Sequence, residues 1–121
     1  MTDLLSGRRI LVVEDEFLVL MLTEDMLSDL GCETVAAAAS IDQALAMIED
    51  QTFDAAMLDM NLDGEKPYAL ADALAERGTP FLFATGYVGH DIRDAYRDRP
   101  LLKKPFRLAE LEKALASLLT G

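Results

Sequence analysis

Short apolar blocks recur along the chain, with segments of helical spacing between them. The blocks lack the alternation of apolar and polar residues that a half-exposed antiparallel strand shows, so they favour strands buried on both faces of a parallel sheet. Three blocks are clear, at residues 10–13, 55–58 and 81–84, and two are weaker, at residues 34–37 and 101–102. The pattern therefore predicts five short strands.

Helices are predicted between these strands. After Ser40, which can cap a first turn, apolar residues recur at the i, i+3, i+4 and i+7 spacing of one helical face. These residues are Ile41, Ala44, Leu45 and Ile48. Residues 17–30 and 67–77 also have helical character, and each segment is followed by a glycine, which commonly ends helices. A last helix has a leucine face formed by Leu108, Leu111, Leu115, Leu118 and Leu119.

Residues 86–100 depart from this regularity. They contain two glycines, six charged residues and only a thin apolar stripe, so we expect a fourth helix that is short or irregular. The stripe consists of Val88, Ile92, Ala95 and Tyr96. The order is otherwise strand then helix, five times over, which is typical of an α/β fold whose parallel sheet is covered by helices on both faces.

The composition limits the class of protein. A chain of 121 residues suits one domain, which we assign to residues 1–121 with a core at about 8–119. No apolar run reaches the length of about 18 residues that a membrane span needs. The start of the chain lacks the apolar core of a signal peptide, and Cys32 has no second cysteine to pair with. We therefore expect a protein of the cytoplasm.

The net charge of −11 comes from 22 acidic and 11 basic residues. Such a charge repels the phosphate backbone of DNA and RNA, so nucleic acid is an improbable partner. The acidity has two interpretations, general solubility or a local cluster that attracts a metal cation, and only the positions of the acids can separate them.

Chemically reactive side chains follow four of the predicted strands. In open parallel sheets, ligands bind at the carboxyl ends of the strands, so these side chains are expected to meet. They are Glu14, Asp15 and Glu16 after the first strand, Asp59 after the third, Thr85 after the fourth and Lys103 and Lys104 after the fifth. Grouped carboxylates suit Mg²⁺, which prefers hard oxygen ligands. A carboxylate beside Mg²⁺ can attack phosphorus while a lysine neutralises the transferring oxygens, roles that Asp59 and Lys104 can fill.

These residues resemble the receiver domain of bacterial two-component response regulators, from about Arg8 to Leu119. Four motifs carry the resemblance, in the family's order and approximate separations. They are Leu-Val-Val-Glu-Asp-Glu at residues 11–16, Met-Leu-Asp-Met-Asn at 57–61, Ala-Thr-Gly at 84–86 and Lys-Pro-Phe at 104–106. The resemblance implies a flavodoxin-like (βα)5 fold with a doubly wound, five-stranded parallel sheet.

The resemblance also implies that Asp59 accepts a phosphoryl group from a histidine kinase or phosphotransfer protein. It implies that Asp15 and Asp59 bind Mg²⁺ directly, that Glu14 acts through a metal-bound water, and that the backbone carbonyl of Asn61 completes the metal site.

Thr85 would then hydrogen-bond the phosphoryl group. Lys104 would pair with it, and the Lys104–Pro105 peptide bond would be cis. Such a protein catalyses only its own phosphorylation and dephosphorylation. It signals by a conformational change to a downstream protein in trans, as a phosphate sink, a phosphate shuttle or a direct effector.

The run Phe-Ala-Thr-Gly-Tyr at residues 83–87 is similar to a narrower group of receivers, many of them single-domain proteins that work with kinases of the HWE type. The chain also departs from the family. Leu101 stands where an aromatic switch residue is usual, which makes Tyr87 the candidate switch. The turn at residues 61–67 lacks the common Met-Pro pair, so its shape is expected to differ.

Three alternatives remain from the sequence. The apolar run at residues 17–22 exceeds one helical face, so its excess either packs on a neighbouring helix, the favoured interpretation, or forms a partner surface. The chain could be a phosphatase with an aspartyl nucleophile, although such enzymes commonly have a second acid where this chain has Asn61. It could also be a receiver-like module that binds a partner without accepting phosphate. Whether the chain is complete or part of a longer protein stays open.

Overall fold

The computed structural model describes residues 5–86 and 92–120, in which strands and helices alternate along the chain. The elements are β1 (Arg9–Val13), α1 (Phe17–Asp29), β2 (Thr34–Ala38), α2 (Ile41–Asp50), β3 (Ala55–Asp59), α3 (Tyr68–Glu76), β4 (Phe81–Thr85), a 3₁₀ helix (Asp94–Tyr96), β5 (Leu101–Lys103) and α4 (Leu108–Thr120). Each predicted strand is present, and its ends differ from the predicted ones by at most one residue.

The strands form one parallel sheet in the order β2-β1-β3-β4-β5. From β1 the chain first adds β2 on one side of that strand and then adds β3, β4 and β5 on the other side. Val13 is paired with Ala38 in β2 and with Leu58 in β3. The carboxyl ends of β1 and β3 therefore lie side by side at the switch point, where open α/β sheets hold their ligands.

Two apolar cores cover the two faces of the sheet. Successive strand residues point to opposite faces, so Leu11 packs in one core and Val12 in the other. The first core takes residues from α2 and α3, such as Ile48 and Leu74, and the second takes residues from α1 and α4, such as Leu27. This is the predicted doubly wound, flavodoxin-like arrangement.

The helix boundaries follow local signals in the sequence. The Ser40 hydroxyl accepts a hydrogen bond of 3.1 Å from the backbone N–H of Gln43, which caps α2 as predicted. Gly31 and Gly78 follow α1 and α3 with φ of +91° and +71°. Glycine reaches that left-handed region at little cost, so it ends both helices.

The region of the predicted irregular helix contains the short 3₁₀ helix in its described part. Tyr96 is buried there, and its hydroxyl donates a hydrogen bond to Asp72 on α3. The Arg93 guanidinium contacts both oxygens of the same carboxylate at 3.2 Å and lies over the ring of Tyr68. These contacts fasten residues 92–99 to α3. Tyr87, the candidate switch residue, lies outside the described residues.

One face of α1 is apolar and exposed. Phe17 is 70% and Leu18 72% exposed, and Met21 and Leu22 are also open to solvent. The favoured interpretation, that the excess apolar residues pack on a neighbouring helix, is therefore wrong. Leu108, predicted to belong to the buried face of the last helix, is exposed as well.

None of the helices within residues 5–86 and 92–120 combines the length and apolar character that a bilayer crossing requires.

Candidate functional site

Two buried carboxylates lie at the carboxyl edge of the sheet. Asp59 is the last residue of β3, and Glu14 directly follows β1, the neighbouring strand. Each residue is only 4% exposed. The Asp59 Oδ1 atom accepts a hydrogen bond of 3.1 Å from the backbone N–H of Asn61, and Glu14 Oε2 accepts one of 3.0 Å from that of Glu16. Backbone amides thus fix one oxygen of each acid.

Lys104 supplies the positive charge between these acids. Its ammonium nitrogen lies 2.9 Å from Glu14 Oε1 and 3.2 Å from Asp59 Oδ2. A weaker contact of 3.4 Å reaches the exposed Glu16. The Lys104–Pro105 peptide bond is cis, as the resemblance implied. Lys103 is exposed on β5, so the structure places Lys104 and not its neighbour in the site.

The electrostatics of the site follow from this burial and pairing. Burial, together with the adjacent Asp59 carboxylate, raises the pKa of Glu14 to about 7. Burial opposes the charged form of Lys104, but its hydrogen bond to Glu14 and the charge of Asp59 outweigh that effect and raise its pKa. Lys104 therefore stays charged, and the site holds more negative than positive charge whenever both acids are ionised.

Asp15 completes a group of three acids. Unlike Glu14 and Asp59 it is exposed, and one carboxylate oxygen from each of the three lies within 4.8 Å of the others. The donors are all hard oxygens, and the single ammonium of Lys104 does not balance their charge. Both features fit Mg²⁺, so these residues suit the ion that the resemblance implies.

The turn after Asp59 is tight and centres on Asp63 and Gly64. Asp63 and Gly64 both have positive φ, of 54° and 86°. The residues on either side, Leu62 and Glu65, exchange two backbone hydrogen bonds of 2.9 and 3.0 Å. This is the geometry of a two-residue hairpin turn, for which Asp-Gly is a favoured sequence. The backbone N–H of Asp63 donates a 2.9 Å hydrogen bond to Asp15 Oδ2.

Thr85 ends β4 beside Asp59 and is only 2% exposed. Its carbonyl accepts a hydrogen bond of 2.7 Å from the backbone N–H of Lys104. These residues line an open cleft of about 460 Å³. Its other lining residues are Asp15, Glu16, Asn61 and Gly86. The cleft has room for a phosphoryl group beside Asp59, Thr85 and Lys104.

A second, more apolar cavity of about 280 Å³ adjoins this cleft. Lys104, Gly86 and Glu16 line both cavities. The apolar cavity is also lined by residues of α1 and by the start of the segment after β5, namely Val19, Leu22, Thr23, Met26, Pro105 and Phe106. The exposed face of α1 therefore continues towards the acidic cleft.

The structure thus brings together Glu14, Asp15, Asp59, Thr85 and Lys104, with Asn61 at the rim of the same cleft. Sequence reasoning did not foresee two features. The first is the contact of Glu16 with Lys104, for which the only signal is the place of Glu16 beside Asp15. The second is the hydrogen bond from the Asp63 amide to Asp15, for which the Asp-Gly pair, a recognised hairpin signal, was the available clue.

Comparison with known proteins identifies related chains of the same fold. Residues 10–116 match the sequence model of a protein family, the response regulator receiver domain. The solution structure of SdrG from Sphingomonas melonis Fr1 is 46% identical, with a TM-score of 0.83 over 98% of this chain and 99% of that chain. The BeF3-activated conformation of SdrG is similar as well, with a TM-score of 0.78 at 44% identity over 94% of this chain and 98% of that chain.

Two further relatives extend the comparison. The receiver domain of the sensor histidine kinase PA1611 from Pseudomonas aeruginosa PAO1, solved with a magnesium ion coordinated in its active-site cleft, is 28% identical. Its TM-score is 0.79 over 96% of this chain and 100% of that one. The transcriptional regulatory protein PdtaR from Mycobacterium tuberculosis is 29% identical over 117 residues, which is 93% of this chain but 57% of that protein.

The chain thus spans little more than half the length of the curated relative that it matches. The family match covers most of this chain, and the sheet order and the acids beside Lys104 agree with it. The chain belongs to the response regulator receiver domains, the phosphoacceptor domains of two-component signalling.

Proposed function

We propose that this receiver accepts its phosphoryl group on Asp59, from a phosphohistidine of a histidine kinase or phosphotransfer protein, with Mg²⁺ as cofactor. The observation that carries the proposal is the contact between Asp59 and Lys104 in a cleft that Asp15 also lines. Glu14 lies next to both Asp15 and Asp59. A nucleophilic carboxylate, a fixed cation and spare metal-binding oxygens are the parts that phosphoryl transfer to an acid needs.

In the proposed reaction a carboxylate oxygen of Asp59 attacks the phosphorus atom. The new P–O bond forms as the P–N bond to the donor imidazole breaks, and the imidazole keeps the electron pair and takes a proton. Lys104, 3.2 Å from Asp59 Oδ2, holds positive charge where the phosphoryl oxygens arrive. The backbone N–H of Asn61 orients the carboxylate by holding its Oδ1 atom.

The three carboxylates, with the backbone carbonyl of Asn61, are the proposed ligands of the cation. When bound by these residues, Mg²⁺ would supply positive charge to offset that of the phosphoryl oxygens. We assign the hydroxyl of Thr85 to hydrogen-bonding the transferred group, because Thr85 lines the cleft at the end of the neighbouring strand.

The site does not favour a phosphatase that acts on other molecules. Asn61 occupies the place where aspartyl phosphatases commonly have a second acid, and its side-chain oxygen already accepts a hydrogen bond of 2.9 Å from Gly64. No second acid is therefore positioned there to drive turnover of phosphate esters. We infer that the protein catalyses only its own phosphorylation and dephosphorylation, and that its phosphorylated form acts on a downstream protein.

We assign docking of the phosphodonor protein to the exposed face of α1. Phe17, Leu18 and Leu22 are apolar and open to solvent, and the apolar cavity beside them is also lined by Lys104. A protein that seats on this face brings its phosphohistidine to the acidic cleft. The Phe-Ala-Thr-Gly-Tyr run supports a kinase of the HWE type as the donor, and such a partner would place the reaction in the cytoplasm.

Phosphotransfer to the purified chain tests the proposal. A histidine kinase that carries a radiolabelled phosphoryl group should transfer the label to the chain only when Mg²⁺ is present. Alkali or hydroxylamine should remove the label, because both cleave an acyl phosphate. Asp59→Asn keeps the shape of the side chain and removes the nucleophile, so it should abolish labelling. Labelling of Asp59→Asn equal to that of the parent would refute the assignment of the acceptor.

A further inference from the structure

Asp15 is the exposed member of the acidic group. Glu14 and Asp59 are buried and held by Lys104. The Asp15 carboxylate instead accepts a hydrogen bond of 2.9 Å at Oδ2 from the backbone N–H of Asp63. An exposed carboxylate samples several rotamers unless a partner holds it. The position of Asp15 towards Glu14 and Asp59 therefore depends on the amide of Asp63.

The turn that carries this amide is built in a specific way. Asp63 and Gly64 both adopt positive φ, and Leu62 and Glu65 close the turn with two backbone hydrogen bonds. The side-chain oxygen of Asn61 accepts the N–H of Gly64 at 2.9 Å, which joins the turn to the end of β3. The direction of the Asp63 N–H is thus set by the turn and not by a helix or the sheet.

We propose that the Asp63–Gly64 turn is a positioning element for the divalent cation: it holds the Asp15 carboxylate in place before the metal arrives. The inference rests on the proposed function, because it concerns the same metal site. Partners that orient metal ligands raise affinity by removing the freedom that the ligand would otherwise lose on binding. Asp15 is the acid for which this matters most, because the other two are already buried.

Gly64 offers a clean way to disturb the turn. A Cβ atom added at Gly64 meets no heavy atom within 4 Å, so Gly64→Ala introduces no clash and acts only through its φ of +86°. Gly78 is a matched control, because it has a φ of +71°, equally open space and a place at the end of α3. Gly64→Asn is the rescue variant, since asparagine adopts positive φ more readily than alanine.

The experiment measures the Mg²⁺ affinity of each variant from the rise of Tm with MgCl2 concentration. Loss of an orienting partner typically weakens metal binding 10–100-fold, so we expect the Kd of Gly64→Ala to rise about 10-fold. Gly64→Asn should recover most of the affinity. Gly78→Ala should lower Tm without Mg²⁺ but keep the Kd of the parent.

The outcomes separate this inference from the proposed function. A parent chain with no response to Mg²⁺ would overturn both. A parent that binds Mg²⁺ while Gly64→Ala binds equally well, or while Gly78→Ala loses as much affinity, would overturn the role of the turn alone. Should Gly64→Ala fail to fold, Asn61→Ala tests the same point. It removes the side-chain acceptor of the Gly64 N–H but keeps the backbone carbonyl, and its Kd should rise in the same direction; an unchanged Kd would overturn the inference.

Discussion

The ammonium nitrogen of Lys104 lies 3.2 Å from Asp59 Oδ2, although 45 residues separate the two in sequence. The same nitrogen contacts Glu14 at 2.9 Å, so one cation serves two buried acids. Loss of this cation leaves both carboxylates buried without their shared partner, a situation that is costly in a protein interior.

Lys104→Met should therefore destabilise the fold in the absence of Mg²⁺. Removal of one partner from a buried ion pair costs about 3–5 kcal/mol, and the partial exposure of Lys104 places the expected loss near the lower end. Urea unfolding at neutral pH measures the free energy of unfolding. Lys103→Met is the matched control, because Lys103 is exposed, and an equal loss in both variants would contradict the pairing.

Asp15→Asn should lose most of the Mg²⁺-dependent rise in Tm. The metal binds the folded state preferentially, so a weaker site gives a smaller shift at the same concentration. Asp25→Asn makes the same change of charge at an exposed position on α1. If Asp25→Asn reduces the shift as much as Asp15→Asn, the ion responds to overall charge and not to this site.

Leu18→Glu should slow phosphotransfer from a kinase or phosphotransfer protein. It places a charge on the exposed face of α1, where we assign docking. Labelling by a small acyl phosphate needs no docking surface and should stay unchanged. Leu108→Glu, an equal change at another exposed leucine, should affect neither reaction; equal slowing in both variants would argue against the α1 face.

A phosphoryl mimic such as beryllofluoride should alter amide exchange most strongly within residues 86–100. The hydroxyl of Thr85 moves towards the modified Asp59 in the proposed switch, and the segment follows directly in sequence. Thr85→Ala and Tyr87→Ala should both reduce the change. An unchanged segment together with a change at another surface would show that the signal leaves by a different route.

Asp72 should stabilise the protein in a pH-dependent manner. The hydrogen bond from Tyr96 and the charge of Arg93 lower the pKa of Asp72. A carboxylate with a lowered folded pKa contributes stability above its unfolded pKa of about 3.9, and that stability is lost as the pH falls through the folded pKa.

Asp72→Asn mimics the protonated acid and should cost about 1 kcal/mol at pH 7, a figure kept small because the carboxylate is half exposed. The difference from the parent should vanish in acid. Urea unfolding between pH 3 and about pH 7 measures it. A difference that persists below the folded pKa would mean that the shape of the side chain matters more than its charge.

The sequence predicted the strands, the sheet type and most of the site for one physical reason. Buried parallel strands are continuous apolar runs, and the residues that follow them must meet at one edge of the sheet. Asp59 and Lys104 could therefore be placed together without coordinates. The hydrogen bond between Tyr96 and Asp72 could not be predicted, because it joins an irregular segment to a helix. No periodic pattern in the sequence indicates such a pair. The exposure of Leu18 was missed for a related reason, since apolar residues on a helix favour burial whether or not a neighbour is present.

The backbone bond from Lys104 N–H to the Thr85 carbonyl, 2.7 Å long, has a mechanical consequence. The bond joins Thr85, which we assign to hydrogen-bonding the phosphoryl group, to Lys104, which offsets the charge of that group. The link runs through the main chain and not through flexible side chains. Any shift of Thr85 must either carry Lys104 with it or break this bond. Lys104 directly follows β5, an edge strand, so a shift of its backbone would act on the outer edge of the sheet.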